Sequence, residues 1–145
     1  MEPVNVLLVE DNPGDARLTK EALAEGRIHM NLTHVDDGVK AMAALKQDGD
    51  YADVPRPDLI LLDLNLPLKD GREVLEEMKS MPELSSIPVI VLTTSENEED
   101  VLKSYELNAN CYITKSVDFD SFMHVIKSID EFWFSIVKLP KNMPQ

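Results

Sequence analysis

Cysteine occurs once in the 145 residues, at Cys111, so no disulfide within the chain can hold the fold together. The apolar neighbours of Cys111 mark it as a small buried residue rather than a reactive thiol. Cations are also scarce. Lys and Arg number 14 against 27 Asp and Glu, for a formal net charge of -13. Holding a phosphate backbone needs clustered Lys and Arg, so this balance argues against direct nucleic-acid binding. No stretch approaches about 18 unbroken apolar residues, and Met1-Glu2-Pro3 opens on an acid where a leader would carry a basic region. The expectation is a cytoplasmic chain without a membrane partner. No repeat or low-complexity segment is evident. At 43% hydrophobic and 28% charged, what is present fits one compact domain with a real core.

Short apolar runs alternate with helical patterns, which predicts an α/β domain with a parallel sheet and crossover helices. Strand β1 is expected over Val4–Val9, then Pro13-Gly14-Asp15 opens helix α1 with Ala16, Leu18, Ala22 and Leu23 on its apolar stripe. A weaker β2 covers Asn31–Val35. The Asp36-Asp37-Gly38 turn opens α2, bearing Val39, Met42 and Leu45, and an irregular connection runs from Gln47 to Pro57. Strand β3 is read as Asp58–Asp63, almost unbroken aliphatic, as a strand covered on both faces should be. Helix α3 follows over Gly71–Met81, with Pro82 helping to stop it, then β4 over Ile87–Leu92. Helix α4 is placed at Asn97–Leu107, β5 at Asn110–Thr114, and a long α5 at about Asp118–Val137. On α5, Phe122, Ile126, Ile129, Trp133 and Ile136 make one buried stripe. Phe132, Trp133 and Phe134 cannot all face that core, because neighbours on a helix point about 100° apart. At least one aromatic is expected on the surface, where it favours self-association over cover by the Leu139-Pro140-Lys141 tail.

Glu10-Asp11, Asp63 and Lys115 each stand at the C-terminal end of an apolar run. In one parallel sheet they converge at the edge where open α/β sheets bind ligands. Carboxylates that close repel one another unless a cation sits among them, and a hard divalent ion such as Mg²⁺ suits an all-oxygen donor set. One carboxylate can then act as a nucleophile, and the lysine can receive the charge that arrives on it.

Four segments in this order, each at a strand end, resemble the receiver domain of two-component response regulators: Val-Leu-Leu-Val-Glu10-Asp11-Asn12, Leu-Ile-Leu-Leu-Asp63-Leu-Asn65-Leu-Pro67, Val-Ile-Val-Leu-Thr93-Thr94-Ser95 and Tyr112-Ile-Thr-Lys115. The resemblance spans about Val4 to Ile129. The Phe-Trp-Phe and Leu-Pro ending looks like the single-domain regulators that partner phytochrome-type histidine kinases. It implies a flavodoxin-like doubly wound (βα)5 sandwich with strand order 2-1-3-4-5. Residues 1–130 would form the receiver domain, and 131–145 a C-terminal helix extension and tail.

By that resemblance Asp63 is the phosphoacceptor, taking a phosphoryl group from a histidine on a partner kinase. The physical reading agrees, since a carboxylate on a rigid strand end can attack phosphorus in line. Glu10, Asp11 and Asp63 would bind Mg²⁺, with Asn65 lending its backbone carbonyl, while Lys115 and the Thr93 hydroxyl pair with the phosphoryl oxygens. Tyr112 would turn inward as Thr93 moves, shifting a population between two states. The kinase would dock over α1 near Arg17, Leu18 and Ala22. Output would pass through the α4-β5-α5 surface, including a homodimer through that face and the C-terminal helix. Receivers commonly carry a cis proline after the conserved lysine; this chain has Ser116, and a cis bond there would cost about 2.5 to 4 kcal/mol. The chain would promote its own phosphotransfer and slow dephosphorylation without being an enzyme.

Taken singly, these residues have plainer uses: Glu10-Asp11 capping α1, Asp63 as a turn residue, Lys115 solvated, Thr93 as an ordinary strand residue or cap, Tyr112 half-buried. Three rival readings share the fold class or resemble the site. A flavin carrier needs free amides in the first loop, where Glu10, Asp11 and Asp15 would repel a flavin phosphate. A Mg²⁺-dependent aspartyl phosphatase places an acid two positions after its nucleophile, and here stands Asn65. A phosphorylation-independent receiver-like binding module usually lacks the acceptor or the acidic pair; both are present.

Overall fold

The computed structural model describes residues 3–26, 29–93 and 111–114, with His124 and Lys127 as helical positions. Its centre is β3, Leu59–Leu62, whose Leu-Ile-Leu-Leu side chains are all fully buried. Burying each contributes roughly 1.5 to 3 kcal/mol, which only a strand covered on both faces can collect. Beside it lie β1, Val4–Val9, and β4, Val89–Thr93. Strands β2, Met30–Val35, and β5, Cys111–Thr114, take the outer places. All pairings are parallel and the order is 2-1-3-4-5, as expected.

Alternation along β1, β3 and β4 feeds two cores. Val6, Leu8, Leu59, Leu61, Ile90 and Leu92 pack with Ala16, Ala22 and Leu23 of α1, Pro13–Ala24. Leu7, Val9, Ile60, Leu62, Val89 and Val91 face α2, Gly38–Lys46, and α3, Gly71–Lys79. The helices therefore lie on opposite faces, as period-two side-chain placement on a doubly covered sheet demands.

Helices α1, α2 and α3 each begin at a side-chain cap. Asn12 Oδ1 accepts from Asp15 N at 3.0 Å at the start of α1, where Pro13 supplies a pre-set φ. Asp37 Oδ1 accepts from Lys40 N at 2.7 Å for α2, and Asp70 with Glu73 forms a capping box for α3. Neither Glu10 nor Asp11 is a cap, so the plainer use of that pair does not hold.

Several boundaries differ from the reading of the sequence. Helix α3 ends at Lys79, and Pro82 opens a separate helical turn, Pro82–Ser85, instead of only stopping α3. That turn draws Ile87 N to Leu84 O at 3.1 Å, and Pro88 has no N–H, so β4 starts at Val89 rather than Ile87. Asp58 and Asp63 fall just outside β3, although Asp58 N still bonds Asn5 O and Asp63 N still bonds Val9 O at 3.0 Å. Within the irregular Gln47 to Pro57 stretch, Gly49–Tyr51 forms a 3-10 turn. Helix α4 and the aromatic trio of α5 lie outside the described residues.

Candidate metal and phosphoacceptor site

The carboxyl ends of β1 and β3 are hydrogen-bonded neighbours, so their following residues must leave the sheet side by side. Glu10 is fixed first: its N–H bonds Val35 O at 3.0 Å, and its carbonyl accepts from His34 Nε2 at 2.8 Å. Its side chain is 2% exposed and turns back so that Oε2 accepts from Asn12 N at 3.2 Å. Asp63 is 7% exposed, and its Oδ1 accepts from Asn65 N at 3.0 Å. That bond is the turn role expected of an aspartate here. Asp11 is exposed at the mouth.

One carboxylate oxygen from each of Glu10, Asp11 and Asp63 lies within 4.8 Å of the others. Three acids this close, two of them buried, repel in a low-dielectric setting unless a cation joins them. Oxygen-only donors with an open, solvent-facing third member suit a hard divalent ion that keeps some of its water. The residues present therefore fit a metal.

The loop after Asp63 is closed by Gly71 N bonding Leu64 O at 2.9 Å. A Cβ on Gly71 would meet Asp63 O at 2.5 Å, so only glycine lets α3 start against the Asp63 backbone. Likewise a Cβ on Gly38 would meet Lys69 O at 1.8 Å, which seats the start of α2 on the same loop. Asn65 is exposed beside Asp63.

The other expected site residues are placed less fully. Thr93 ends β4 opposite Thr114, and Tyr112 lies in β5 opposite Val91, so both strands run to the same sheet edge. The side chains of Thr93 and Tyr112, and all of Lys115 and its bond to Ser116, are outside the described residues. On α1, Arg17 is exposed and paired with Glu21 at 3.2 Å, and Leu18 is half-buried. Ala22, expected on the docking surface, is instead 5% exposed and packed in the core under α1, because it shares the stripe of Ala16 and Leu23. Reasoning from sequence misses the contact of His34 with Glu10. Its one signal there is a histidine near the end of the strand that flanks β1.

A doubly wound parallel sheet with an acidic, cation-fitting cluster at its carboxyl edge defines a class: flavodoxin-like domains with carboxylates suited to a divalent metal at the ligand edge. The family model of the response regulator receiver domain matches residues 6–127, and the chain belongs to that family. It is 53% identical over 138 residues to Response regulator Rcp1 of Synechocystis sp., covering 95% of this chain and 94% of that one. The crystal structure of the Mn(2+)-bound form of Rcp1 superposes with a TM-score of 0.88 at 50% identity, covering 99% of this chain and all of that one. The phosphorylated cyanobacterial phytochrome response regulator RcpA gives 0.88 at 54% identity, with 92% and 96% covered. The bacteriophytochrome response regulator AtBRR gives 0.74 at 39%, with 90% and 93% covered. The chain is thus a response regulator receiver domain, homologous to Rcp1 and to the bacteriophytochrome regulators. Among the described residues, no helix is long and apolar enough to cross a membrane.

Proposed function

We propose that Asp63 of this receiver is the phosphoacceptor, that Glu10, Asp11 and the Asn65 carbonyl join it in holding Mg²⁺, and that the donor is a phytochrome-type histidine kinase. The observation that carries the reading is the convergence of the three carboxylates at the carboxyl edge of the sheet. An Asp63 oxygen attacks the phosphorus of a phosphohistidine, an O–P bond forms as the N–P bond breaks, and the imidazole leaves with the electron pair and takes a proton. The bond from Asn65 N orients Asp63 for that attack, and the rigid β3 behind it fixes the approach. Bound Mg²⁺ would neutralise charge on the transferring oxygens. Lys115 and Thr93 are assigned to the phosphoryl group and Tyr112 to the switch, on the resemblance of their segments.

Asn65 stands where an acid would be needed to speed hydrolysis, so the chain acts as a slowly reset phosphoacceptor in the cytoplasm and not as an enzyme. Residues 1–130 form the receiver and 131–145 its extension. Output passes through the α4-β5-α5 surface and a homodimer through that face and the C-terminal helix. Likeness to the phytochrome regulator RcpA supports the choice of kinase.

Incubation with acetyl phosphate and Mg²⁺ tests the site. The native chain should gain one hydroxylamine-labile phosphate, and chelation or Asp63→Asn should abolish it. Labile phosphate on the Asp63→Asn protein would refute the assignment.

A further inference from the structure

Among the described residues only two large apolar side chains stand well out in solvent, Leu68 at 81% and Val39 at 53%. The fold puts their chain neighbours in contact: Val39 follows Gly38, which sits on the backbone of Lys69, the residue after Leu68. Leu68 also has φ of 67°, a left-handed conformation that disfavours any side chain bearing a Cβ. Neither packing nor backbone preference accounts for leucine at that position, and a residue held against both is a candidate for contact with something outside the chain.

Leu68 stands beside the acceptor. Gly71 abuts Asp63 O, and Leu68 is three residues earlier, hence within about 11 Å of Gly71 by chain length alone. A protein that brings a phosphohistidine to Asp63 must lay its own surface across this loop, whereas a small phosphodonor need not. The nearby cations are already engaged, Lys40 with Asp36 at 2.8 Å and Lys69 with Glu77. Beside these paired charges, the well-exposed apolar groups are Leu68 and Val39.

Resting on the phosphoacceptor reading above, we propose that Leu68 and Val39 form an apolar docking rim for the histidine-bearing surface of the kinase. The rim separates protein donors from small ones. Leu68 acts as a contact held out by the loop and takes no part in the chemistry.

The test compares two donors on the full chain: a phytochrome-type histidine kinase autophosphorylated with radiolabelled ATP, and acetyl phosphate. Leu68→Gly and Leu68→Asn, which suit the left-handed backbone, should melt no lower than the native protein and accept phosphate from acetyl phosphate at the native rate. Their transfer from the kinase should fall about tenfold or more, with Val39→Thr giving a smaller loss in the same direction. Native-like transfer from the kinase in both Leu68 variants overturns the proposal, and so does an equal loss with both donors. A native chain that accepts from neither donor sinks the phosphoacceptor reading itself; one that accepts only from acetyl phosphate sinks the choice of kinase and the rim together.

Discussion

His34 holds the Glu10 carbonyl at 2.8 Å while Val35 O takes the Glu10 N–H at 3.0 Å, so both backbone groups of a buried acid are fastened to β2. The ring must carry its proton on Nε2 to donate this bond, which assigns the tautomer. Replacing His34 by Leu strands a part-buried carbonyl, at a cost of about 1 to 3 kcal/mol, and frees the Glu10 turn to wander. Titration calorimetry with Mg²⁺ should show several-fold weaker binding in His34→Leu and near-native binding in His34→Gln, whose amide can still donate. Equal affinities in the native chain and His34→Leu would contradict this role. Glu10, Asp11 and Asp63 are legible in the sequence, because acids that end apolar runs stand out against them. His34 is not, since a histidine in a half-polar strand gives no periodic signal and its partner is a backbone atom.

Two glycines set how the elements meet. Both Gly38 and Gly71 begin helices, and at each the space for a Cβ is filled by the backbone of the segment from Asp63 to Lys69. Gly38→Ala places a carbon on the Lys69 carbonyl, which cannot move as a flexible side chain would. Destabilisation on the order of 2 to 3 kcal/mol is expected by urea unfolding, and an unchanged midpoint would mean that α2 can shift freely against the loop. Sequence spacing places these helices correctly but cannot show that their first residues touch the backbone of the loop from Asp63 to Lys69. The connection to β4 departs from its sequence reading at Pro82 for a related reason. A proline that cannot continue one helix is equally suited to open the next, and the bonds from Leu84 N and Ser85 N to Met81 O, both 2.9 Å, decide between them.

Across the whole molecule, a formal charge of -13 works against compaction, so the placement of the few cations matters. Glu77 of α3 bonds both Lys46 of α2, at 2.7 Å, and Lys69 of the loop after Asp63. The Lys46 bond, then the Lys69 bond, hold its carboxyl below the ordinary value of 4.5. A depressed carboxyl stabilises the fold above its unfolded pKa and loses that contribution as pH falls through the folded one. Glu77→Gln should therefore cost about 1 kcal/mol near neutrality and much less below the carboxylate range. Thermal melts at both pH values check this; a deficit that persists undiminished in acid would show that the pair is not its source. The layout of the fold is readable because β3 and β1 are nearly pure aliphatic and α1, α2 and α3 each carry an apolar stripe. Surface ion pairs leave no such pattern, since any of 27 acids could face any cation.

Phosphate must arrive on Asp63, with the acidic cluster around it, for the rest to follow. Borohydride reduces an aspartyl phosphate to homoserine, so mass spectrometry of digested protein after acetyl phosphate, Mg²⁺ and borohydride reads the modified position directly. Conversion at residue 63 alone, absent when a chelator replaces Mg²⁺, is the predicted result; conversion at another aspartate, or at 63 equally without the metal, would contradict it.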